Sequence, residues 1–414
     1  MDRRVVITSE AAITPIGASK ETIVANLIDG VSGVKPLRDD GFLDGYLHSR
    51  IYGTVDYPIE YDFERKYRKT MGPVSFYACQ VVKELLAKAG LNQDFISSGR
   101  LGVAFGSTHG SPSVQRSIYK SFLQKDSSGS EVTSSVAYLQ SMVHTTAANI
   151  TKMFNITGRV ISSCTACTTS SQSIGFGYEM IKFGLQDAMI CGGADEYDTT
   201  TVAVFDNLLA CSTAYNDTPH LSPRPFDVDR DGLVVGEGAG VVLLEEYEFA
   251  RKRGANIIGE VIGFSCNNNG GDMILPNLEG ITGTIRLGLE SAGIGPEEVD
   301  FVSAHATATK MGDVIEAQAI EKVYGDRVRV TGLKSYMGHT MASCGAIETI
   351  LTLYMMEKGF IAPTLNLDSV DPRCAGINHV TSLEEIPVRT ASVQNFAFGG
   401  VNTNLILASP GPTS

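Results

Sequence analysis

Cys167 lies in the run Val160–Gly175, where β-branched residues give way to small polar ones and then to a helical pattern. A thiol at such a strand-to-helix junction faces free backbone N–H groups and the positive end of the helix dipole, which favour thiolate. His305 follows the apolar stretch Val299–Val302, and His339 follows Val328–Thr331, each in a Gly- or Thr-rich loop. Loops after strands are where α/β folds place their sites. Taken singly, each residue has an ordinary reading: an intracellular Cys is commonly a core residue, and a lone His a satisfied structural one. Cys167 also forms a C-x-x-C with Cys164, open to a redox or metal reading. No second C-x-x-C or close Cys/His pair follows, and the long chain lacks a thioredoxin-sized context. By spacing alone a core Cys stands ahead of a nucleophile, but two histidines in equivalent positions after strands, with a cysteine in a third, are harder to dismiss as three structural residues.

The elements around these residues echo one another. Arg159–Ile161 leads through a polar turn to Cys167, a helical pattern to Phe183 and the apolar Asp187–Cys191. Arg327–Val330 leads through Gly332–Lys334 to His339 and a helical pattern over Ala346–Glu357. Similar strand-to-loop units occur at Leu101–Gly106 and Val299–His305. Such alternation predicts an α/β architecture with buried sheets and a duplicated domain. The halves are expected at 1–252, holding the Cys, and 253–414, holding both His, with the boundary near Lys252–Asn256. Lys125–Ser135, Ser-rich and polar, reads as a surface loop, and Val5–Thr8 as a first strand, because Glu10 interrupts what would otherwise resemble a signal segment.

Composition narrows the class. With 33 Lys+Arg against 46 Asp+Glu the net charge is −13, which disfavours non-specific binding to nucleic acid or anionic membrane. The longest apolar stretches, Gly238–Leu244 and Ala346–Met356, fall short of the roughly 18–20 residues of a membrane span. Eight scattered Cys without an export signal imply reduced thiols and a cytoplasmic location.

At the level of motifs the chain resembles the elongating β-ketoacyl-ACP synthases of the thiolase superfamily over nearly its whole length. Thr165–Thr169 resembles their T-A-C-[ST]-S nucleophile motif, His305–Asp313 their H-G-T-x-T-x-x-x-D, and Lys334–His339 their K-S-x-x-G-H. Pro225–Gly240 resembles the P-F-D-x-x-R-D-G-F-V-x-G-E-G-A-G run, and Phe396–Asn402 the F-G-F-G-G-T-N near the C-terminus. Five ordered matches are far more specific than one short pattern.

The resemblance implies a thiolase-like duplicated five-layered αβαβα fold and decarboxylative Claisen condensation. Cys167 would take the acyl group from a carrier-protein thioester, with its own N–H and that of Phe398 as the oxyanion hole. His305 and His339, as neutral imidazoles, would hydrogen-bond the malonyl thioester carbonyl while CO₂ leaves. Lys334 would be a buried cation paired with Glu348, and Asp313 and Glu316 would organise the site. Phe398 would also gate Cys167, with Gly399 and Gly400 supplying backbone freedom. The second His favours elongation over the Cys–His–Asn set of initiating enzymes or the second Cys of thiolases. The nucleophile argues against a silent chain-length-factor scaffold.

Several positions depart from the pattern: Ala306, Ala308 and Lys310 after the first His, Ala342–Cys344 after the second, and Ala397 and Val401 in the Phe-rich loop. They alter bulk near the site and raise a specialised type II polyene, aryl polyene or polyketide role beside fatty-acid elongation. Pocket-lining residues are expected near Ser107–Ser113 and Tyr138–His144. The family implies no metal and no cofactor, since phosphopantetheine arrives on the carrier. It also implies a homodimer or a heterodimer with a chain-length-factor homologue. The run Phe63–Lys69 concentrates Arg65, Lys66, Arg68 and Lys69 in an acidic protein, a docking surface for an acidic carrier.

Overall fold

The computed structural model describes residues 3–38, 41, 45–59, 63–123 and 134–410. The expected loop Lys125–Ser135 lies outside the described residues up to Thr133.

Among the described residues, an 11-stranded sheet runs in the order Asn378–His379, Arg329–Thr331, Phe301–Ser303, Thr390–Ala397, Val401–Ala408, Gly259–Asn268, Val5–Ile13, Gly238–Glu246, Ala188–Asp195, Leu101–Gly106, Val160–Ile161. The order is nearly symmetric about the pair Val5–Ile13 and Gly259–Asn268. On each side long antiparallel strands come first and short parallel strands follow. The expected first strand, Val5–Thr8, is the start of one that continues to Ile13. Every residue of Val5–Ile13 and of Ala188–Asp195 is buried, the signature of strands covered on both faces.

The cover comes in three layers. Helices Thr169–Lys182 and Cys344–Lys358 pack on each other and on strands of both halves, so they form the central layer. Pro73–Ala89 covers the outer face of the N-terminal strands, and Leu278–Ala292 with Gly312–Tyr324 covers that of the C-terminal strands. This is the αβαβα stack. A helix wrapped on all sides is apolar or small nearly all round, and Cys344–Met356 is buried without a break, with Glu348 its one charged residue. Close approach of the two central helices depends on Gly345, where a Cβ would stand 2.0 Å from Ser171 Oγ.

Both central helices begin in the same way. A 3-10 turn precedes each, Ala166–Thr168 and Met341–Ser343, and the first residue of each turn has positive φ: 48° at Ala166 and 54° at Met341. The residue matching Cys167 in the second half is therefore Ala342. The sequence echo placed His339 in that position; the structure corrects this, because His339 lies upstream of the turn, after the short helix Lys334–Met337.

Candidate active site

Turn and loop geometry bring Cys167, His305 and His339 together: one ligand-type atom of each lies within 4.8 Å of those of the other two, and all three residues are buried. The imidazole rings meet edge to face with centroids 5.2 Å apart. This cluster lines a cavity of 290 Å³ whose other walls include Phe396, Phe398 and Met311.

The histidines are locked from behind. Lys334 Nζ lies 3.1 Å from His305 Nδ1, and Asn395 Nδ2 lies 3.4 Å from the same atom. An ammonium has only protons to give, so Nδ1 accepts and the ring proton sits on Nε2. The Met341 N–H donates to His339 Nδ1 at 3.2 Å, which fixes the same tautomer there. His339 Nε2 is buried without a hydrogen-bond partner among the described residues. Burial and the Lys334 charge push both imidazoles well below the ordinary histidine range, so both are neutral donors.

Lys334 is fully buried and forms an ion pair with Glu348 at 2.5 Å. Burial works against its charge, but Glu348, with Cys344 and Glu316 nearby, raises its affinity for the proton overall. Asn395 completes the cluster, donating to Glu348 Oε2 at 2.7 Å while its own carbonyl accepts from Ser171. A buried charge held this way has its remaining valences filled.

The cysteine differs from expectation. Burial pushes the Cys167 thiol up to about 12, against the opposing pull of Lys334 and of its own backbone N–H. Desolvation outweighs the helix terminus, so the resting group is a thiol rather than the thiolate that the junction alone suggested.

Supporting residues hold the loops. Glu316 accepts the backbone N–H groups of His305 at 2.6 Å and Ala306 at 2.7 Å. Burial raises this carboxyl to about 8. Asp313 accepts the Phe226 N–H at 2.8 Å and faces Arg230 at 3.7 Å, tying the His305 loop to the Pro225–Gly240 run. Ala306 and Ala308 sit at φ 30° and 64°, left-handed positions that disfavour a Cβ, and at the first of them the resembled motif has Gly. Phe398 stacks on Phe205 with ring centroids 5.7 Å apart, and the turn after it bends through Gly399 at φ 85° and Gly400 at φ 71°.

Other expectations fare differently. Arg65, Lys66, Arg68 and Lys69 are exposed on and just after the helical turn Arg65–Arg68, with Lys66 paired to Glu64 at 2.9 Å. The segments Ser107–Ser113 and Tyr138–His144 do not line the cavity at Cys167. Ser107 and Thr108 are instead bound to Asp195 by hydrogen bonds of 2.6 and 3.0 Å. Cys164 is exposed and stands outside the Cys–His–His cluster.

Sequence reasoning missed three groups. Asn395 is a polar residue midway along a buried strand, a signal the sequence carried. Asp195, at the end of its strand, accepts from Ala342 N at 2.8 Å and so holds the turn after His339. Cys344 donates to the Cys167 carbonyl at 3.1 Å.

Residues 2–250 match the beta-ketoacyl synthase N-terminal domain and residues 258–368 its C-terminal domain. The chain belongs to the beta-ketoacyl synthase family. It is 33% identical over 406 residues to 3-oxoacyl-[acyl-carrier-protein] synthase 1 of Haemophilus influenzae, covering 98% of each chain. A crystal structure of a beta-ketoacyl synthase from Burkholderia phymatum superposes with a TM-score of 0.94 at 41% identity, over 99% of this chain and 100% of that one. The ishigamide ketosynthase/chain length factor gives 0.89 at 31% identity, over 99% and 100%. These family members share the thiolase-like stack described above. Among the described residues no helix is long and apolar enough to cross a membrane.

Proposed function

We propose that this chain condenses an acyl group carried on Cys167 with malonyl-ACP, giving 3-oxoacyl-ACP, CO₂ and free ACP. The Cys167 sulfur attacks the acyl-ACP thioester, and its proton leaves with the carrier thiol. The N–H groups of Cys167 and Phe398 hold the oxyanion of this step. Malonyl-ACP then occupies the cavity, and the Nε2–H groups of His305 and His339 donate to its thioester carbonyl. Loss of CO₂ leaves the electron pair as an enolate under those two donors. The enolate carbon attacks the acyl thioester, and the Cys167 thiolate departs and is reprotonated.

The observation carrying this reading is the convergence of two neutral Nε2–H donors and one thiol on a single buried cavity. Lys334 and Glu348 serve as positioning residues behind His305, while Asp313 and Glu316 set the loop. Phe398, backed by Gly399 and Gly400, gates Cys167. The protein uses no metal and no cofactor of its own, and it works in the cytoplasm as two halves, 1–252 and 253–414, sharing one site. Its partner is an acyl carrier protein, received on the basic turn Arg65–Lys69.

Mass spectrometry after exposure to acyl-ACP tests the reading: an acyl adduct on Cys167, absent in Cys167→Ala, is expected. No adduct, even with a matched partner subunit, would return the chain to the class of silent scaffold partners. A second reading is favoured by the likeness to the ishigamide ketosynthase/chain length factor. In it the chain is the ketosynthase subunit of a specialised type II polyene, aryl polyene or polyketide system, paired with a chain-length-factor homologue rather than with itself. Product masses from candidate acyl-ACPs separate the two.

A further inference from the structure

A thiol and two neutral imidazoles with donor atoms within 4.8 Å of one another form a set that transition metals seek. Zinc and its relatives take Cys and His ligands readily, and three protein ligands around an accessible cavity describe a metal site as well as they describe a condensing site. What differs is the outer shell. A ligating histidine commonly donates its second ring N–H to an acceptor, a carboxylate, a carbonyl or a water. Here each second nitrogen meets a donor.

His305 Nδ1 faces the Lys334 ammonium at 3.1 Å and the Asn395 amide at 3.4 Å. His339 Nδ1 faces the Met341 N–H at 3.2 Å. For Nε2 to bind a metal its proton must move to Nδ1, and there it would point at another donor's proton. The Asn395 amide is held in its orientation by Glu348 and Ser171, so it cannot turn its oxygen to help. The Lys334 charge also opposes a divalent cation, and at zero exposure little water screens it.

We propose that Lys334, with Asn395 and the Met341 N–H, keeps this Cys–His–His cluster from acting as a transition-metal site. Through these donors one arrangement favours donation to an enolate and disfavours ligation by the same nitrogen. Replacing Lys334 by an apolar residue removes the charge and the closer donor. It also leaves Glu348 without its cation, so the buried pocket behind His305 carries an uncompensated negative charge that favours a divalent cation. Lys334→Met is then a latent metal site with Cys167 thiolate and His305 as its ligands, while the Met341 N–H still opposes ligation by His339.

The test is titration of the purified wild-type protein and of Lys334→Met with Co²⁺ alone. It follows the thiolate-to-cobalt charge-transfer absorption, with Lys334→Met/Cys167→Ala as the control, and then Zn²⁺ competition against a chromophoric chelator. Lys334→Met is expected to bind about 100-fold more tightly than wild type, the upper end of what outer-shell partners contribute, with the absorption lost in the double variant. Equal affinity in wild type and Lys334→Met, or no binding by either, overturns the proposal. Should Lys334→Met fail to fold around an unpaired Glu348, Lys334→Met/Glu348→Gln still lacks the Lys334 charge and donor and tests that part of the proposal, with tighter binding than wild type again expected. Acylation of Cys167 is measured separately, so failure here leaves the condensation reading intact, and the reverse also holds.

Discussion

The Cys344 thiol donates to the backbone carbonyl of Cys167 across 3.1 Å, joining the first turns of the two central helices. Cys344 is completely buried, and Asn395 Nδ2 lies 3.7 Å from its sulfur. The bond fixes the peptide that follows the nucleophile. Cys344→Ala should lower stability by about 1 kcal/mol, the usual net worth of such a bond, and Cys344→Ser should recover part of it. Urea unfolding of the three proteins checks this. An unchanged midpoint in Cys344→Ala would remove the bond from any account of the turn.

Burial, with the Lys334 charge, holds His305 and His339 well below their ordinary value of 6.5. Each imidazole is thus neutral on both sides of that pH in the folded protein. Decarboxylation of a malonyl thioester should stay flat as pH falls through about 6.5, where an ordinary histidine would titrate. Stability follows the opposite logic. Below 6.5 the unfolded chain takes up protons that the folded site refuses, so these two groups lower stability as pH falls toward their folded values. A rate profile with its inflection near 6.5 would contradict the neutral-donor assignment.

Glu316 holds the His305 loop by accepting two adjacent backbone N–H groups, at 2.6 and 2.7 Å. Glu316→Gln keeps one acceptor and turns a second donor toward the other N–H. A loss of about 1–3 kcal/mol is expected, the cost of a buried donor left unsatisfied. Decarboxylation should slow while Cys167 still accepts an acyl group, because the loop carries His305 and not the nucleophile. Equal slowing of both half-reactions would place Glu316 elsewhere in the mechanism.

Arg65, Arg68 and Lys69 are exposed, and Lys66 is partly occupied by Glu64. Reversing all four to Glu should raise KM for acyl-ACP and leave KM for a small thioester nearly unchanged, since steering acts on the charged carrier and not on the cavity. The difference should shrink at high salt. Steady-state kinetics with both substrates decides it, and parallel changes would show that the turn supports folding rather than docking.

Much of the architecture was legible in sequence because its signals are local. Short runs dominated by Val, Phe and Thr, such as Val299–Val302 and Val328–Thr331, end in polar loops, and a strand buried on both faces needs no partner to be read. Cys167, His305, His339 and Lys334 stood out for the same reason, each fixed in a motif of a few residues. Asn395 carried a local signal too, a polar side chain inside the buried strand Thr390–Ala397, but nothing near it in sequence said which charge it would satisfy.

By itself, then, the sequence determined the element types, the duplicated plan and the identity of the reactive side chains. The tertiary structure decided their chemical state. Helix-terminus reasoning favours a Cys167 thiolate, but burial raises the thiol to about 12, an effect of surroundings contributed by both halves. Repeat matching paired His339 with Cys167, but the two turns put Ala342 at the equivalent position, because the match depends on backbone conformation at Ala166 and Met341. The tautomers of the two histidines rest on Lys334, Asn395 and the Met341 N–H. Asn395 stands 90 residues from His305 along the chain. Hydrogen-bond partners at that separation are set by the packing of sheets and central helices, and that packing is where the reactivity of the site is fixed.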